Sequence, residues 1–172
     1  LGPAGCKSCV FQFTGEGLRK LNIDERMTLC NLAMFVGGVT AIIEPDETVF
    51  HYLNKFGVQY NTIVQSDPDA HYKQCFQFNL DAVQPVLVEP PSPANTVPIE
   101  NLLGLPVNSG YLGSCASGRL TDLKQAVEIL HGNHVQEGFR LHIVPTSNYI
   151  QCRASELGLI EKLLDAGAMV HS

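Results

Sequence analysis

Residues 110–145 read GYLGSCASGRLTDLKQAVEILHGNHVQEGFRLHIVP, a pattern of strand, helix and strand. The first apolar strand runs into a turn at Ser114-Cys115. Leucine and valine then recur at helical spacing over residues 120–130, and a glycine follows as a stop signal. Residues 140–144 form the next strand. Two strands joined through one helix by short connections predict a βαβ unit, and therefore a parallel sheet.

The same alternation extends to both sides of this stretch. Downstream, two helices are predicted, one from Tyr149 to about Leu157 and one over residues 159–165. Upstream, Asn22 and Glu25 have the spacing of a capping box at a helix start. The upstream elements are a strand at 10–13, a helix from about 23 to 36, a buried parallel strand at 39–43 and a helix ending near Lys55. The fold class is therefore α/β, with parallel βαβ units.

Five of the ten prolines lie between residues 83 and 98. Such a density excludes a helix or a central strand, because proline lacks the backbone donor that both require. The predicted organisation is a first lobe over 1–82, a proline-rich loop or linker over 83–108 and a second lobe over 109–172.

Composition excludes several classes of protein. The chain has 172 residues, 45% hydrophobic and 16% charged, with a net charge of −6. This balance suits a folded core and lacks the basic patch of a nucleic-acid binder. The longest uncharged apolar run, residues 32–43, is shorter than a bilayer span requires. With no targeting segment visible, we expect the cytoplasm or an organelle matrix. The missing initiator Met suggests a processed chain or a piece of a longer one.

The six cysteines are expected to be reduced, so metal or cluster ligation is favoured over cross-linking. Cys115 follows a strand and precedes a helix N-terminus, where a thiolate is stabilised. A structural thiol in a tight turn is the alternative reading. Cys6 and Cys9 have metal-knuckle spacing, but nothing in the sequence completes a zinc site.

The remaining notable side chains are expected to have structural roles. Cys30 and Cys152 are expected as core thiols, and His142 on the less buried face of its strand. The apolar residues expected in the core are Met27, Leu29, Leu32 and Met34.

Five motifs occur in an order that resembles the aconitase superfamily, and within it the large subunits of 3-isopropylmalate dehydratase and homoaconitase. The motifs span nearly the whole chain. They are Phe13-Thr14-Gly15-Glu16-Gly17, Arg26-Met27-Thr28-Leu29-Cys30-Asn31-Leu32, Pro45-Asp46-Glu47-Thr48, Gly113-Ser114-Cys115 with Arg119 and Asp122-Leu123, and Ile143-Val144-Pro145.

This resemblance implies a hydro-lyase that dehydrates or isomerises a hydroxy-di- or tricarboxylate at a four-iron, four-sulfur cluster, in leucine biosynthesis for the dehydratase type. It implies that Cys115 is one of three cluster cysteines and that Asn31 is a catalytic residue near cluster and substrate. Ser114 and Arg119 are then candidates for substrate binding. From the residues alone, Arg119 has the alternative of pairing with an acid such as Asp122. The implied partner is a small subunit or swivelling domain.

Other positions depart from the family pattern. Phe35 stands where the resemblance implies a catalytic glutamate, and phenylalanine cannot transfer a proton. Ala116 and Ser117 replace Thr and Asn, and Thr146 replaces Gly. The later Cys-x-x-Cys is not within these residues. Two hypotheses follow: part of a dehydratase large subunit, or a degenerate, cluster-free binding or assembly module. Open sheet edges also suggest association with a second copy of the chain.

Overall fold

The computed structural model describes residues 5–171 and divides the chain into two compact units, Leu1–Leu103 and Gly104–Ser172. Unit 1 contains β1 (Val10–Phe13), α1 (Ile23–Leu32), β2 (Thr40–Ile43), α2 (Glu47–Lys55), β3 (Val86–Val88) and β4 (Thr96–Pro98). Unit 2 contains β5 (Ser109–Leu112), α3 (Leu120–Leu130), β6 (Arg140–Ile143), α4 (Asn148–Glu156), α5 (Leu159–Asp165) and β7 (Met169–Val170). This arrangement of helices and mostly parallel strands confirms the predicted α/β class.

In unit 1, β1 and β2 pair in parallel, from Val10 opposite Thr40 to Phe13 opposite Ile43. The predicted capping box begins α1. The Asn22 side chain accepts from the Glu25 backbone N–H at 3.0 Å, and the Glu25 carboxylate accepts from the Asn22 N–H at 2.7 Å. The α-helix ends at Leu32 and continues as a 3-10 turn over Ala33–Val36. Gly37, at φ 87°, then ends the helical segment in a left-handed conformation that suits glycine.

Part of the burial predicted for unit 1 is wrong. Residues 39–43 were predicted as a buried strand, yet Val39 is 70% exposed and Ile42 is 52% exposed. Leu32 and Met34, predicted in the core, are exposed as well. The sheet here has only two strands, and within the described residues these side chains lie outside the small packed interior. The parallel strand itself was therefore predicted from the sequence, whereas its burial depends on how much structure covers it.

Polar contacts connect the elements of unit 1. The Arg26 guanidinium, which is 3% exposed, donates to Asp46 at 2.7 Å and to the backbone carbonyls of Leu18 and Leu21. Asp46 also accepts from the Thr48 and Val49 N–H groups and so caps α2. The hydrogen bond from Arg26, with its positive charge, lowers the pKa of the Asp46 carboxyl. One buried cation therefore ties the segment before α1 to the start of α2.

A second polar cluster in unit 1 forms where β1 and β2 end, and it holds the segment after α2. Gln12 donates to Glu44 at 2.9 Å and to the Ser66 hydroxyl at 2.5 Å. The Ser66 backbone N–H donates to Glu44 at 3.0 Å, and Tyr72 donates to Gln12. The backbone and hydroxyl bonds from Ser66 lower the pKa of Glu44.

The proline-rich segment contains a feature that the sequence did not predict, the antiparallel pair β3–β4. Each of these strands has three residues and one strand neighbour. Pro98 is tolerated because it ends an edge strand, where its missing donor removes no interior ladder bond.

Unit 2 is built on a three-stranded parallel sheet in the order β5-β6-β7. Leu123 from α3, Ile143 from β6 and Leu163 from α5 are fully buried, and Ala154 from α4 packs with them. The predicted elements at 120–130, 140–144, 149–157 and 159–165 are confirmed within a residue or two. β7 was not predicted, since a two-residue strand leaves almost no periodicity to detect.

Cys152 was predicted as a core thiol and is exposed, which corrects that prediction. It precedes the buried Ala154 by two positions, about 200° around the helix, so the two residues occupy opposite faces of α4. Cys30, on α1, is half-buried, and this burial raises the pKa of its thiol.

Candidate functional site

The turn between β5 and α3 holds three of the four residues that the sequence singled out. β5 ends at Leu112, and α3 begins at Leu120. Between them, Ser114 takes a left-handed backbone conformation, with φ at 72°. Few residues other than glycine adopt this conformation, and where they do, the surrounding structure enforces it. The turn follows the carboxyl end of a parallel strand, the usual ligand-binding edge of such sheets.

Two glycines let this turn lie against the segment after β6. A Cβ added to Gly118, whose φ is 77°, would lie 2.4 Å from the Val144 carbonyl oxygen. A Cβ on Gly113 would lie 2.7 Å from the same oxygen. Both distances are below any tolerable contact, and the obstructing atom belongs to the backbone. Glycine at these two positions is therefore a packing requirement of the site.

Two hydroxyl groups fasten the turn. Ser117 Oγ accepts from the Gly113 N–H at 3.1 Å and donates to the Gly113 carbonyl at 2.5 Å. Thr146 Oγ1 donates to the Ser117 carbonyl at 2.8 Å, and the Thr146 N–H donates to Gly118 at 3.0 Å. Ser117 and Thr146 are two of the positions that depart from the family pattern. In this chain their hydroxyls make bonds within the scaffold.

The predicted site residues of unit 2 are presented by this scaffold. Ser114 and Cys115 are exposed, and Arg119 is partly buried at the N-cap of α3. The Arg119 backbone N–H donates to the Asp122 carboxylate at 3.0 Å, which fixes the start of the helix. One exposed thiol, one exposed hydroxyl and one guanidinium thus belong to a single turn at a helix N-terminus. That combination suits an anionic ligand.

Asn31, the fourth predicted residue, belongs to unit 1. It lies in the last turn of α1 and is partly buried. Phe35, four residues later, is in the 3-10 turn that follows and is 51% exposed. The position that the resemblance assigns to a catalytic glutamate therefore presents an apolar ring to solvent.

The potential metal ligands among the described residues do not come together as a complete site. Across residues 5–171, no three His, Cys, Asp or Glu side chains lie together as a metal site. Cys6 and Cys9 share a turn in which the Cys9 N–H donates to the Cys6 carbonyl at 3.1 Å, and no third ligand joins them. The described residues do not fit a complete iron–sulfur site, since the β5–α3 turn supplies the single thiol of Cys115.

Open grooves lie away from the predicted residues. One in unit 1 is lined by residues of α1 and α2 that include Thr48 and His51, and one in unit 2 lies along α4 beside Cys152. Among the described helices, none has the length and apolar character needed to cross a lipid bilayer.

One contact that the sequence did not predict lies on the sheet of unit 2. His142 on β6 and His171 after β7 face each other with ring nitrogens 2.9 Å apart. The signal for it was present but faint, because both residues alternate with the core positions Ile143 and Val170 and so share the other face of the sheet.

A model of the aconitase family (aconitate hydratase) matches residues 1–105 and 100–172. The 3-isopropylmalate dehydratase large subunit 1 of Archaeoglobus fulgidus is 37% identical over 170 residues, covering 98% of this chain and 40% of that protein. Its counterpart in Pyrococcus furiosus is 36% identical over 172 residues, covering 99% and 41%. That of Methanopyrus kandleri is 33% identical over 170 residues, covering 99% and 41%.

The chain thus spans about two fifths of the length of these curated relatives. The matches run through both units, including the β5–α3 turn and the capped helix α1. This continuous similarity confirms the likeness that the ordered motifs indicated, and the chain therefore belongs to the aconitase family.

Proposed function

We propose that this chain is the part of an aconitase-type hydro-lyase large subunit that contributes to binding a hydroxy-di- or tricarboxylate. The observation that carries the proposal is the similarity to dehydratase large subunits along 170 or more of the 172 residues. Elimination of water requires the substrate to be held with its hydroxyl and the departing hydrogen aligned. We assign that positioning role to residues of this chain.

In unit 2, the carboxylate-binding groups are Arg119 and Ser114. The guanidinium of Arg119 stays positively charged and matches the planar geometry of a carboxylate. The positive end of the α3 dipole adds to that attraction. Ser114, which the strained turn presents to solvent, donates a hydroxyl hydrogen bond.

In unit 1, we assign Asn31 to substrate orientation. Its side-chain amide can donate to one substrate oxygen and accept from a hydroxyl at the same time. Phe35 cannot take a proton, so the general base is outside this position. A small subunit or swivelling domain is the proposed partner, since the relatives are named as large subunits.

Cys115 is the proposed contribution of this chain to a four-iron, four-sulfur cluster. Such a cluster would supply Lewis-acid chemistry that assists the loss of water. The described residues provide one thiol of the set, so further ligands must come from elsewhere. An exposed thiol before a helix N-terminus is chemically suited to this role.

A second candidate function is a cluster-free binding or assembly module of the same fold. Its support is specific to this chain: Phe35 leaves the glutamate position empty, and the Ser117 hydroxyl is engaged with Gly113. In that reading the scaffold is retained, whereas the residue types that the resemblance implies at positions 35, 116 and 117 are not.

Anaerobic reconstitution with iron and sulfide separates the two. The variant is Cys115→Ser, and the matched control is Cys152→Ser, which removes another exposed thiol from the same unit. The enzyme proposal expects iron, sulfide and a visible charge-transfer band in the wild type and the control, with a loss in Cys115→Ser. Equal iron contents in all three folded proteins would contradict Cys115 as a ligand. A positive result leads to dehydration assays with malate-type substrates and an added small subunit.

A further inference from the structure

The open face of the unit 2 sheet carries a pair of histidines that the proposed function does not use. In the parallel register, Tyr111 of β5, His142 of β6 and Met169 of β7 are neighbours. Leu112, Leu141, Ile143 and Val170 pack into the core on the opposite face. His171 lies two residues after Met169 and so returns to the open face. The His171 backbone N–H donates to the Ile143 carbonyl at 2.9 Å, which fixes it beside β6.

The two imidazoles are close enough to share one ion. Nδ1 of His142 and Nε2 of His171 are 2.9 Å apart, and the ring centroids are 5.1 Å apart with 22° between the planes. Two nitrogens bound to one ion at about 2.05 Å and at right angles lie about 2.9 Å apart, against about 3.3 Å for a tetrahedral ion. Right-angle positions are those of square-planar or octahedral Ni²⁺ and Cu²⁺.

We propose that His142 and His171 form a two-imidazole site for a divalent transition-metal ion of the Ni²⁺ or Cu²⁺ class. In the structure the two nitrogens face each other as a hydrogen-bonded pair. Binding of an ion moves the shared proton to the other nitrogen of its ring and turns both rings until their lone pairs converge on the ion, so no proton need be lost. The described residues supply no third ligand, and water or a small anion fills the remaining positions. Arg140, two residues before His142 on the same strand, places a positive charge on this face and limits the affinity.

The chelate joins two strands that are otherwise weakly connected. β7 has only two residues and pairs with β6 alone. An ion held by β6 and by the residue after β7 therefore fastens the edge of the sheet. Because the ion binds the folded state, it also raises the melting temperature, and the increase grows with the logarithm of the ion concentration once that concentration exceeds the dissociation constant.

Calorimetric titration of Ni²⁺ into the 172-residue protein tests the proposal, with the cysteines kept reduced by a phosphine. Ni²⁺ is the probe because Cu²⁺ oxidises thiols. The test variants are His142→Ala and His171→Ala. The matched control is the double variant His131→Ala/His134→Ala, which removes two exposed histidines from the same unit.

We expect one Ni²⁺ per chain in the wild type and the control, and an affinity at least tenfold lower in each test variant. Ni²⁺ should raise the melting temperature of the wild type and the control alone. His171 is exposed, so its variant should fold even if His142→Ala does not. The proposal is overturned if Ni²⁺ does not bind the wild type, if it binds folded His171→Ala equally well, or if the control loses it too. None of these outcomes bears on the cluster role of Cys115.

Discussion

The two units are stabilised by different kinds of interaction. In unit 2, Leu123, Ile143 and Leu163 are fully buried in a continuous apolar core. In unit 1, the only buried residues among those described are Ala33 and Arg26. Unit 1 depends on polar contacts, made by the Arg26–Asp46 pair and by the cluster around Glu44.

The difference shows that two units of one chain can be stabilised by different interactions, one by apolar packing and the other by polar contacts. Removal of apolar surface from water is insensitive to pH, because no proton is exchanged. An ion pair and a hydrogen-bonded carboxylate depend on the charge of the carboxyl group. We therefore expect truncation of buried apolar side chains to lower the stability of unit 2. We expect acid, or substitution of charged residues, to lower the stability of unit 1.

The largest effect is expected from Leu163→Ala. It removes a fully buried side chain from the core of unit 2, at a cost of about 3–5 kcal/mol in the free energy of unfolding. The matched control is Met34→Ala in unit 1, which shortens a side chain that is 61% exposed and should change stability by about 0.5 kcal/mol or less. Hydrogen exchange followed by mass spectrometry shows which unit has lost stability. Equal losses of stability in the two variants would contradict the view that unit 2, and not unit 1, depends on apolar packing.

Arg26→Gln is expected to cost about 2–3 kcal/mol, because it leaves the carbonyls of Leu18 and Leu21 and the Asp46 carboxylate without their charged donor. The control is Arg19→Gln, whose exposed pair with Glu16 is worth about 0.5 kcal/mol or less. Faster exchange should appear in unit 1 with unit 2 unchanged. A cost as small as that of Arg19→Gln would mean that the Arg26 contacts contribute little.

The same pair gives unit 1 a pH dependence. Because folding lowers the pKa of Asp46, its contribution is fully present above the unfolded pKa, about 3.9. It is lost as the pH falls through the lower folded value. Glu44 acts in the same direction. Acid titration monitored by hydrogen exchange should open unit 1 before unit 2, and Arg26→Gln should flatten the Asp46 part of the profile. Simultaneous opening of both units would argue against this assignment.

The smallest effect is expected from Ser117→Ala, which removes the two bonds to Gly113 and should cost about 1 kcal/mol. Ser155→Ala on the exposed face of α4 serves as the control and should leave the free energy of unfolding nearly unchanged. The exchange rates of the Gly113 and Thr146 amides are the informative measurement. No change there would show that the hydroxyl does not hold the turn.

Much of this fold could be predicted from local chemistry. The capping box at Asn22, the helices of unit 2 and the strands at 10–13 and 140–143 are encoded by nearby residues, since caps and periodicity act within one or two turns. The site turn was located in the same way, through the cysteine between a strand and a helix. The burial of residues 39–43 was mispredicted because apolar character shows what a side chain favours and not what covers it.

The residues missed at the site were those whose role requires a distant neighbour. Ser117 and Thr146 look like lost family positions in the sequence. In the structure the Ser117 hydroxyl bonds Gly113 within its own turn, and the Thr146 hydroxyl donates to the Ser117 carbonyl, 29 residues away. The requirement for glycine at 113 and 118 comes from the Val144 carbonyl. His142 and His171 likewise meet only because β6 and β7 pair in one register.

By itself, the sequence determined the α/β class, most helix and strand positions, and the family. It also determined the turn that carries Ser114, Cys115 and Arg119. These features depend on hydrogen bonding and side-chain periodicity among residues that are adjacent in the chain. The tertiary structure alone decided which apolar strands are buried, that Arg26 is the buried cation of unit 1, and that two histidines face each other on an open sheet. Those outcomes depend on contacts between residues far apart in the chain, and such contacts are fixed only when the elements pack.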